Sequence, residues 1–295
     1  MESAKRQVKW NGDETAKAVF FLCAGISILV LFSIIVYLFS YGIPFMSGYG
    51  FSAFLFGTEW DIVSDNPKYG ILPMWLTTLV LTAISTLIGS FLGVFSAIAL
   101  FKFVPKKVAG VCSYLIQLLA GIPSVVFGLF GMTFIVPFIR DYVSLNGVGY
   151  GILSSSIVLG VMILPTVTSM SLNALNSVDK SYFEGSLALG MNKIQSVFQV
   201  VLPSAKSGIF AGIILGLGRA LGETMAVMMV IGGSASMPTS LTKSVRTLTA
   251  NIAMGANELT GEALQALIAC GCVLFVFTLL IYLCLGLLNR KRKEK

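Results

Sequence analysis

Gly208-Ile-Phe-Ala-Gly-Ile-Ile-Leu-Gly-Leu-Gly-Arg-Ala-Leu-Gly-Glu-Thr-Met-Ala-Val-Met-Met-Val-Ile-Gly-Gly233 is an apolar run that carries two ionisable groups, Arg219 and Glu223. About 20 helical residues cross a hydrocarbon core roughly 30 Å thick, so this run is long enough to span a membrane. Arg219 follows Gly208 by 11 residues, a rise of about 16 Å, which places it near mid-membrane. An ionisable group at that depth costs roughly 2.5–3.5 kcal/mol on insertion scales, and it normally faces a cavity or a partner.

Five further stretches have the same length and character: Ala18 to Tyr41, Pro73 to Phe101, Val108 to Ile139, Gly151 to Leu172, and Ala263 to Leu288. The third is longer than a span needs. With Gly121, Pro123 and Pro137 inside it, it is expected to tilt, kink or break, because neighbouring helices can satisfy the freed backbone groups. The first has an apolar core too long for a cleavable signal peptide and reads as a retained anchor. The expected fold is therefore all-α and integral to the membrane, with six spanning helices. Of the 295 residues, 56% are hydrophobic and only 11% are charged, and the mean hydropathy is +0.89. A soluble domain carries roughly 25% charged residues, so this chain lacks the groups to solvate a globular surface.

The net charge of +7 does not form the basic face of a nucleic-acid-binding protein. Lys5, Arg6, Lys9 and Lys17 precede the first span, and Lys102, Lys106 and Lys107 follow the second. Lys180, Lys193 and Lys206 follow the fourth, and Arg290, Lys291, Arg292, Lys293 and Lys295 follow the sixth. The alternate connections hold only Lys68, Arg140, Lys243 and Arg246. The positive-inside rule then puts both termini in the cytoplasm. Five cysteines, Cys23, Cys112, Cys270, Cys272 and Cys284, all lie in apolar runs and read as small packing residues. With no histidine in the chain, neither a metal site nor an acid–base centre is expected.

The connection 173–207 is too long to be structureless in a compact protein. Ser181 with Glu184 has the spacing of a capping box, Gly190 can end that helix, and Asn192 can cap a second one running to Val201. Phe183 and Leu187, four apart, would share an apolar face. Such an element suits either docking on a cytoplasmic partner or lying in the membrane interface; periodicity alone does not choose.

The order Glu184-Gly-Ser186, Gly190, Val200 and Leu202-Pro203 resembles the EAA loop of ABC importer permeases, with Gly185 and Ser186 at the positions usually held by alanine. The resemblance implies that Phe183, Glu184, Gly185, Ser186, Leu187, Gly190, Leu202 and Pro203 engage an ATP-binding subunit. Gly218-Arg-Ala-Leu-Gly-Glu223 resembles the oxyanion importers. Thr224-Met-Ala-Val227, Arg246-Thr-Leu-Thr-Ala-Asn-Ile252, Ile71-Leu-Pro73 and Gly121-Ile-Pro-Ser124 look like the PstC-type phosphate permeases. Those motifs imply a MetI-like core over residues 71–288, preceded by a tail, first helix and outer loop (1–70) and followed by a basic tail (289–295). They also imply an importer for inorganic phosphate in a prokaryotic cell membrane. Its partners would be an ATPase dimer that binds ATP and Mg, a PstA-like second permease, an extracytoplasmic phosphate-binding protein and membrane lipid. The chain itself is expected to bind no cofactor, and no Walker A sequence occurs in it.

Within that frame the i, i+4 spacing would let Glu223 pair with Arg219. Arg219 offers a fork matched to phosphate oxygens. Glu223 would hold that fork, moderate its charge and accept a proton from protonated phosphate. The alternative is a structural salt bridge. Gly208, Gly212 and Gly216 allow close helix approach, either within the chain or at an interface between subunits, and a pore between two permeases favours the interface. Arg246, after Ser234, Ser236, Thr239, Ser240 and Thr242, could meet the anion at the outer mouth, though a solvated polar loop accounts for these residues more simply. Gln117 could line the path or bond across helices. Glu59, Asp61 and Asp65 belong to an outer loop, 42–70, that could contact a docking protein. Competing functions are a sulfate or molybdate permease, a membrane scaffold without transport, and an intramembrane enzyme, for which no nucleophile and base are at hand.

Overall fold

The computed structural model describes residues 12–62, 64–144 and 147–293. Lys5, Arg6 and Lys9 and the side chains of the 289–295 tail lie outside the described residues. Six helices are long and apolar enough to cross a membrane. They form from α1 (Gly12–Tyr49), α3 (Leu72–Ile98), α5 and α6 (Ser124–Phe130 and Val136–Tyr142), α7 (Ile152–Asn176), α10 (Leu202–Gly222) and α13 (Gly261–Lys293). Shorter helices join them: α2 (Phe51–Phe56), α4 (Lys106–Gly121), α8 (Lys180–Ala188), α9 (Lys193–Gln195), α11 (Met225–Ile231) and α12 (Leu248–Gly255). Three π-helical segments, Ala99–Phe103, Gly131–Ile135 and Ser196–Val201, lie within this helical framework.

The centre of the bundle is α7, packed on α3 at one side and on α10 at the other. Small residues make both approaches possible. A Cβ on Gly89 of α3 would meet the Gly160 carbonyl oxygen at 2.7 Å, and one on Gly93 would meet Val167 at 2.9 Å. On α10 the Gly208, Gly212 and Gly216 stripe faces Ala174, Met170 and Val167 of α7. The stripe therefore holds two helices of the same chain together, the within-chain one of the two expected uses. Lipid tails give no hydrophobic drive for helix association, so close van der Waals contact has to supply it.

The long third run breaks at Pro123, as expected, while two other expectations change. Pro123 lacks an N–H and biases Ile122 to the extended conformation (φ −70°, ψ 129°), which separates α4 from α5; the span is Ser124–Tyr142. The outer loop at 42–70 is largely ordered: α1 runs on to Tyr49, α2 follows, and Trp60–Asp61 (β1) pairs antiparallel with Lys68–Tyr69 (β2). Phe45, Phe54, Tyr49, Trp60 and Tyr69 form one aromatic cluster there, edge-on except for the stacked Phe45 and Tyr49, and Glu59 pairs with Lys68. Finally, the fifth run is two helices, α10 and α11, parted at Glu223 and Thr224. Cys270 and Cys272 are buried apolar packing, as expected.

Overpacking a close contact costs about 1–3 kcal/mol. Gly89→Val, which drives a side chain into the α7 backbone, is expected to lower the thermal midpoint of the purified protein in detergent. An unchanged midpoint would show that α3 and α7 do not depend on this approach.

Candidate functional site

The break after Gly222 leaves backbone groups without intrahelical partners, and each charge sits where it answers one end of the break. Arg219 lies in the last turn of α10, beside carbonyls that lack intrahelical partners. Glu223 precedes α11, and its Oε1 accepts the Ala226 N–H at 3.1 Å. The Glu223 carbonyl accepts the Thr249 hydroxyl at 3.2 Å from α12, and Met228 N donates to Thr224 O at 2.8 Å.

The expected Arg219–Glu223 pair does not form. Among the described residues the ion pairs are Lys68 with Glu59 and Arg140 with Asp141. The i, i+4 geometry requires a continuous helix, and Glu223 has already left it (φ −73°, ψ 125°). The Arg219 guanidinium instead donates from Nη1 to Thr166 Oγ1 at 3.4 Å, across from α7. Arg219 is partly buried and has a neutral partner.

At the other end of the chain's functional region, α8 begins at Lys180, capped by Asp179, whose carboxylate accepts the Ser181 N–H at 2.8 Å. That bond holds Asp179 below the usual carboxylate range. The expected cap at Ser181 is thus corrected by two residues: Asp179 reaches the open N–H first and Ser181 is already helical. Gly190, at φ +85°, ends the helix as expected, with Gly190 N bonded to Leu187 O and Met191 N to Ser186 O, the paired bonds of a Schellman turn. Asn192 and Gln195 close a reciprocal capping box. The second helix does not stop near Val201: α9, the π segment and α10 run on without interruption from Lys193 to Gly222. Pro203 lies inside this continuous helix, directly after the π-helical segment Ser196–Val201.

Comparison with known proteins now places this geometry. Residues 89–294 match the family model described as binding-protein-dependent transport system inner membrane component. The chain belongs to that family. It is 35% identical over 294 residues to the probable ABC transporter permease protein YqgH of Bacillus subtilis, covering 98% of this chain and 95% of the relative. It is also 35% identical to the phosphate transport system permease protein PstC of Mesorhizobium japonicum, over 88% of this chain and 84% of that protein. In fold it resembles a bacterial alginate ABC transporter in complex with an alginate pentasaccharide-bound periplasmic protein (TM-score 0.63, 18% identity, 95% of this chain and 96% of that one). An inward-facing MetNI methionine ABC transporter is similar at TM-score 0.59, with 21% identity over 74% of this chain and 93% of that chain. The MetI-like permease core is thus the observed fold.

In the permease, the 181–203 motif residues divide between two faces. Phe183 turns inward, packing with Leu202 against the cluster of Leu175, Val197, Val201 and Ala205, with the Lys102 ammonium 4.5 Å above its ring. Ser186 is buried. Leu187, one turn further on the same helix, is exposed, so of this pair only Phe183 is packed inward. The open side carries Tyr182 (55% exposed), Leu187 (39%), Leu189 (88%) and Ile194 (60%), with Glu184 and Gly185 also exposed. Leu189, Tyr182 and Ile194 were missed from the sequence because no periodicity links residues on two helices joined at a glycine.

Arg246 is not on a freely solvated loop. It is partly buried and braced by Nε to Gly233 O at 2.7 Å and Nη1 to Asn251 Oδ1 at 3.0 Å. Gln117 is exposed and lines a small cavity with Thr168 and Asn173. Thr166 was also missed; it lies 53 residues from Arg219 in sequence, and no spacing rule links them.

Because Glu223 serves as a cap, Glu223→Gln keeps an acceptor and should hold stability near that of the unaltered protein. Glu223→Ala should lose about 1 kcal/mol. A double-mutant cycle of Arg219→Ala with Glu223→Ala on thermal stability should give a coupling below about 0.5 kcal/mol; a coupling well above that would restore the ion pair.

Proposed function

We propose that this permease carries inorganic phosphate across the cell membrane as one of two membrane subunits of an ATP-driven importer. The observation that carries the reading is the break after the fifth span, with an intramembrane guanidinium held by a neutral hydroxyl and without a carboxylate in ion-pair distance among the described residues. An oxyanion that sheds its hydration shell needs charge-assisted donors in exchange, and an arginine fork matches phosphate oxygens. The similarity to proteins named as phosphate transport permeases from several bacteria supports phosphate over sulfate or molybdate.

Both termini and the α8–α9 connection face the cytoplasm in this reading, where α8 and α9 present Tyr182, Leu187, Leu189 and Ile194 to an ATPase dimer. ATP and Mg bind on that partner. A PstA-like permease completes the path, and a phosphate-binding protein delivers the anion outside. Closure of the ATPase dimer moves the α8–α9 unit. Because helix runs unbroken from Lys193 to Arg219, a distance of about 39 Å at 1.5 Å per residue, that displacement reaches the guanidinium without a hinge. The break beyond Arg219 then lets α11 and α10 move separately, opening the path to one side at a time.

Uptake of labelled phosphate into vesicles holding the assembled complex tests the reading, with sulfate as competitor. Arg219→Ala should abolish uptake while the complex still assembles, and unchanged uptake would reduce Arg219 to a structural residue. Leu189→Glu, on the open face, should leave the membrane subunits folded but cut phosphate-stimulated ATP hydrolysis at least tenfold, since a lone carboxylate buried in an apolar contact costs several kcal/mol. Full stimulation in that variant would remove this face from the ATPase contact. No phosphate uptake by the unaltered complex would sink the substrate assignment.

A further inference from the structure

A second guanidinium shares the features that single out Arg219. Arg246 is partly buried, its bonded partners are the Gly233 carbonyl and the Asn251 amide oxygen, and no carboxylate lies within ion-pair distance of it among the described residues. Arginine stays charged under all physiological conditions, so this site holds a half-desolvated positive charge without neutralisation. Such a charge is costly unless something else completes it. The two bonds also fix the plane of the fork, and they leave the remaining N–H donors unpaired among the described residues. Asn251, which makes one of these bonds, is itself buried and held by the Cys270 sulfur at 3.9 Å. The brace is therefore built from inside the protein.

Arg246 lines a cavity of about 660 Å³. Trp60 and Ile62 of the ordered outer segment, Met228 in the first turn of α11, and Asn251, Met254 and Asn257 share the lining. Glu258 also lines it, beyond ion-pair distance of Arg246. Met228 ties the cavity to the break in the fifth span, and Thr249, three residues after Arg246, holds the Glu223 carbonyl on the far side of that break. A tetrahedral oxyanion is far smaller than this volume, so it can enter with much of its water and exchange part of it for the guanidinium.

We infer that the cavity around Arg246 is an outer anion station, a second binding site that takes a hydrated tetrahedral oxyanion of the phosphate class before it passes the break to Arg219. This rests on the import reading above. Arg246 supplies the charge-assisted donors. The amide of Asn257 supplies a neutral one, and Glu258 keeps the site from holding a dianion too tightly to release.

The test uses the full complex in proteoliposomes and reads initial uptake of labelled phosphate at increasing concentrations of phosphate-loaded binding protein. Arg246→Gln should raise the half-saturating concentration at least about tenfold, the scale of losing a charge-assisted interaction, and Arg246→Lys should recover part of that loss. Met254→Glu keeps both braces and puts a carboxylate into the cavity; it should reproduce the Arg246→Gln shift, and it decides the matter if Arg246→Gln does not assemble. Half-saturation unchanged in Met254→Glu, or in an assembled Arg246→Gln complex, would overturn the station. So would an equal loss in the affinity of the empty binding protein for the complex, which would make Arg246 a docking contact. An unaltered complex that moves no phosphate would instead sink the import reading itself.

Discussion

The fifth span is interrupted at Glu223 and Thr224, and the surrounding structure is arranged to make that interruption tolerable. In hydrocarbon an open backbone group costs several kcal/mol, so non-helical backbone survives at depth only inside protein or beside a watery cavity. Here the Glu223 carboxylate takes the Ala226 N–H, and Thr249 reaches from α12 to the Glu223 carbonyl. α12 is in turn fixed to α3, where Leu248 N donates to Thr78 Oγ1 at 3.1 Å. The segment between α11 and α12 thus folds back to seal the break, and in doing so brings Arg246 beside the mouth of the same path. One local departure from helix explains why both half-buried arginines lie close to it.

The position of the break relative to the bundle is set by contacts made about two to four turns earlier. Gly208, Gly212 and Gly216 seat α10 closely on the Ala174, Met170 and Val167 side chains of α7, and that register puts Arg219 beside Thr166. Larger residues in the stripe would lift α10 away and carry the guanidinium off its hydroxyl. The same rigid contact makes α10 a lever, because the helix continues through a π segment and α9 to the cytoplasmic connection. Packing, rather than any charge pair, therefore links the coupling region to the anion path.

The count of spans and the break at Pro123 could be read from the sequence because lipid leaves few alternatives and proline removes a donor wherever it stands. Gly190 and Asn192 were legible for a similar reason: a left-handed turn and a capping box are local chemistry. Glu223 was not. Gly222-Glu-Thr224 contains no proline, and the break is decided by Ala226 and by Thr249 from another element, so a reading confined to one helix gave an i, i+4 pair that the chain does not make. The inward packing of Phe183 was hidden in the same manner, since its partners Leu175 and Val201 lie on other helices. Thr166 and Asn251 carry no motif of their own in this respect; they gain a role only when tertiary structure places an arginine against them.

The choice of neutral braces has an energetic logic. A carboxylate paired with either arginine would lower the cost of the buried charge, but an entering anion would then have to displace it and leave that carboxylate unpaired in a poorly solvated place. A hydroxyl, an amide oxygen or a backbone carbonyl orients the fork while leaving its net charge intact. Arg219 has one such brace and Arg246 has two. Each can then bind an oxyanion without first breaking an ion pair, at the expense of a less stable empty state. That expense falls on the bundle, and the close glycine contacts of α3, α7 and α10 are where the compensating packing is found.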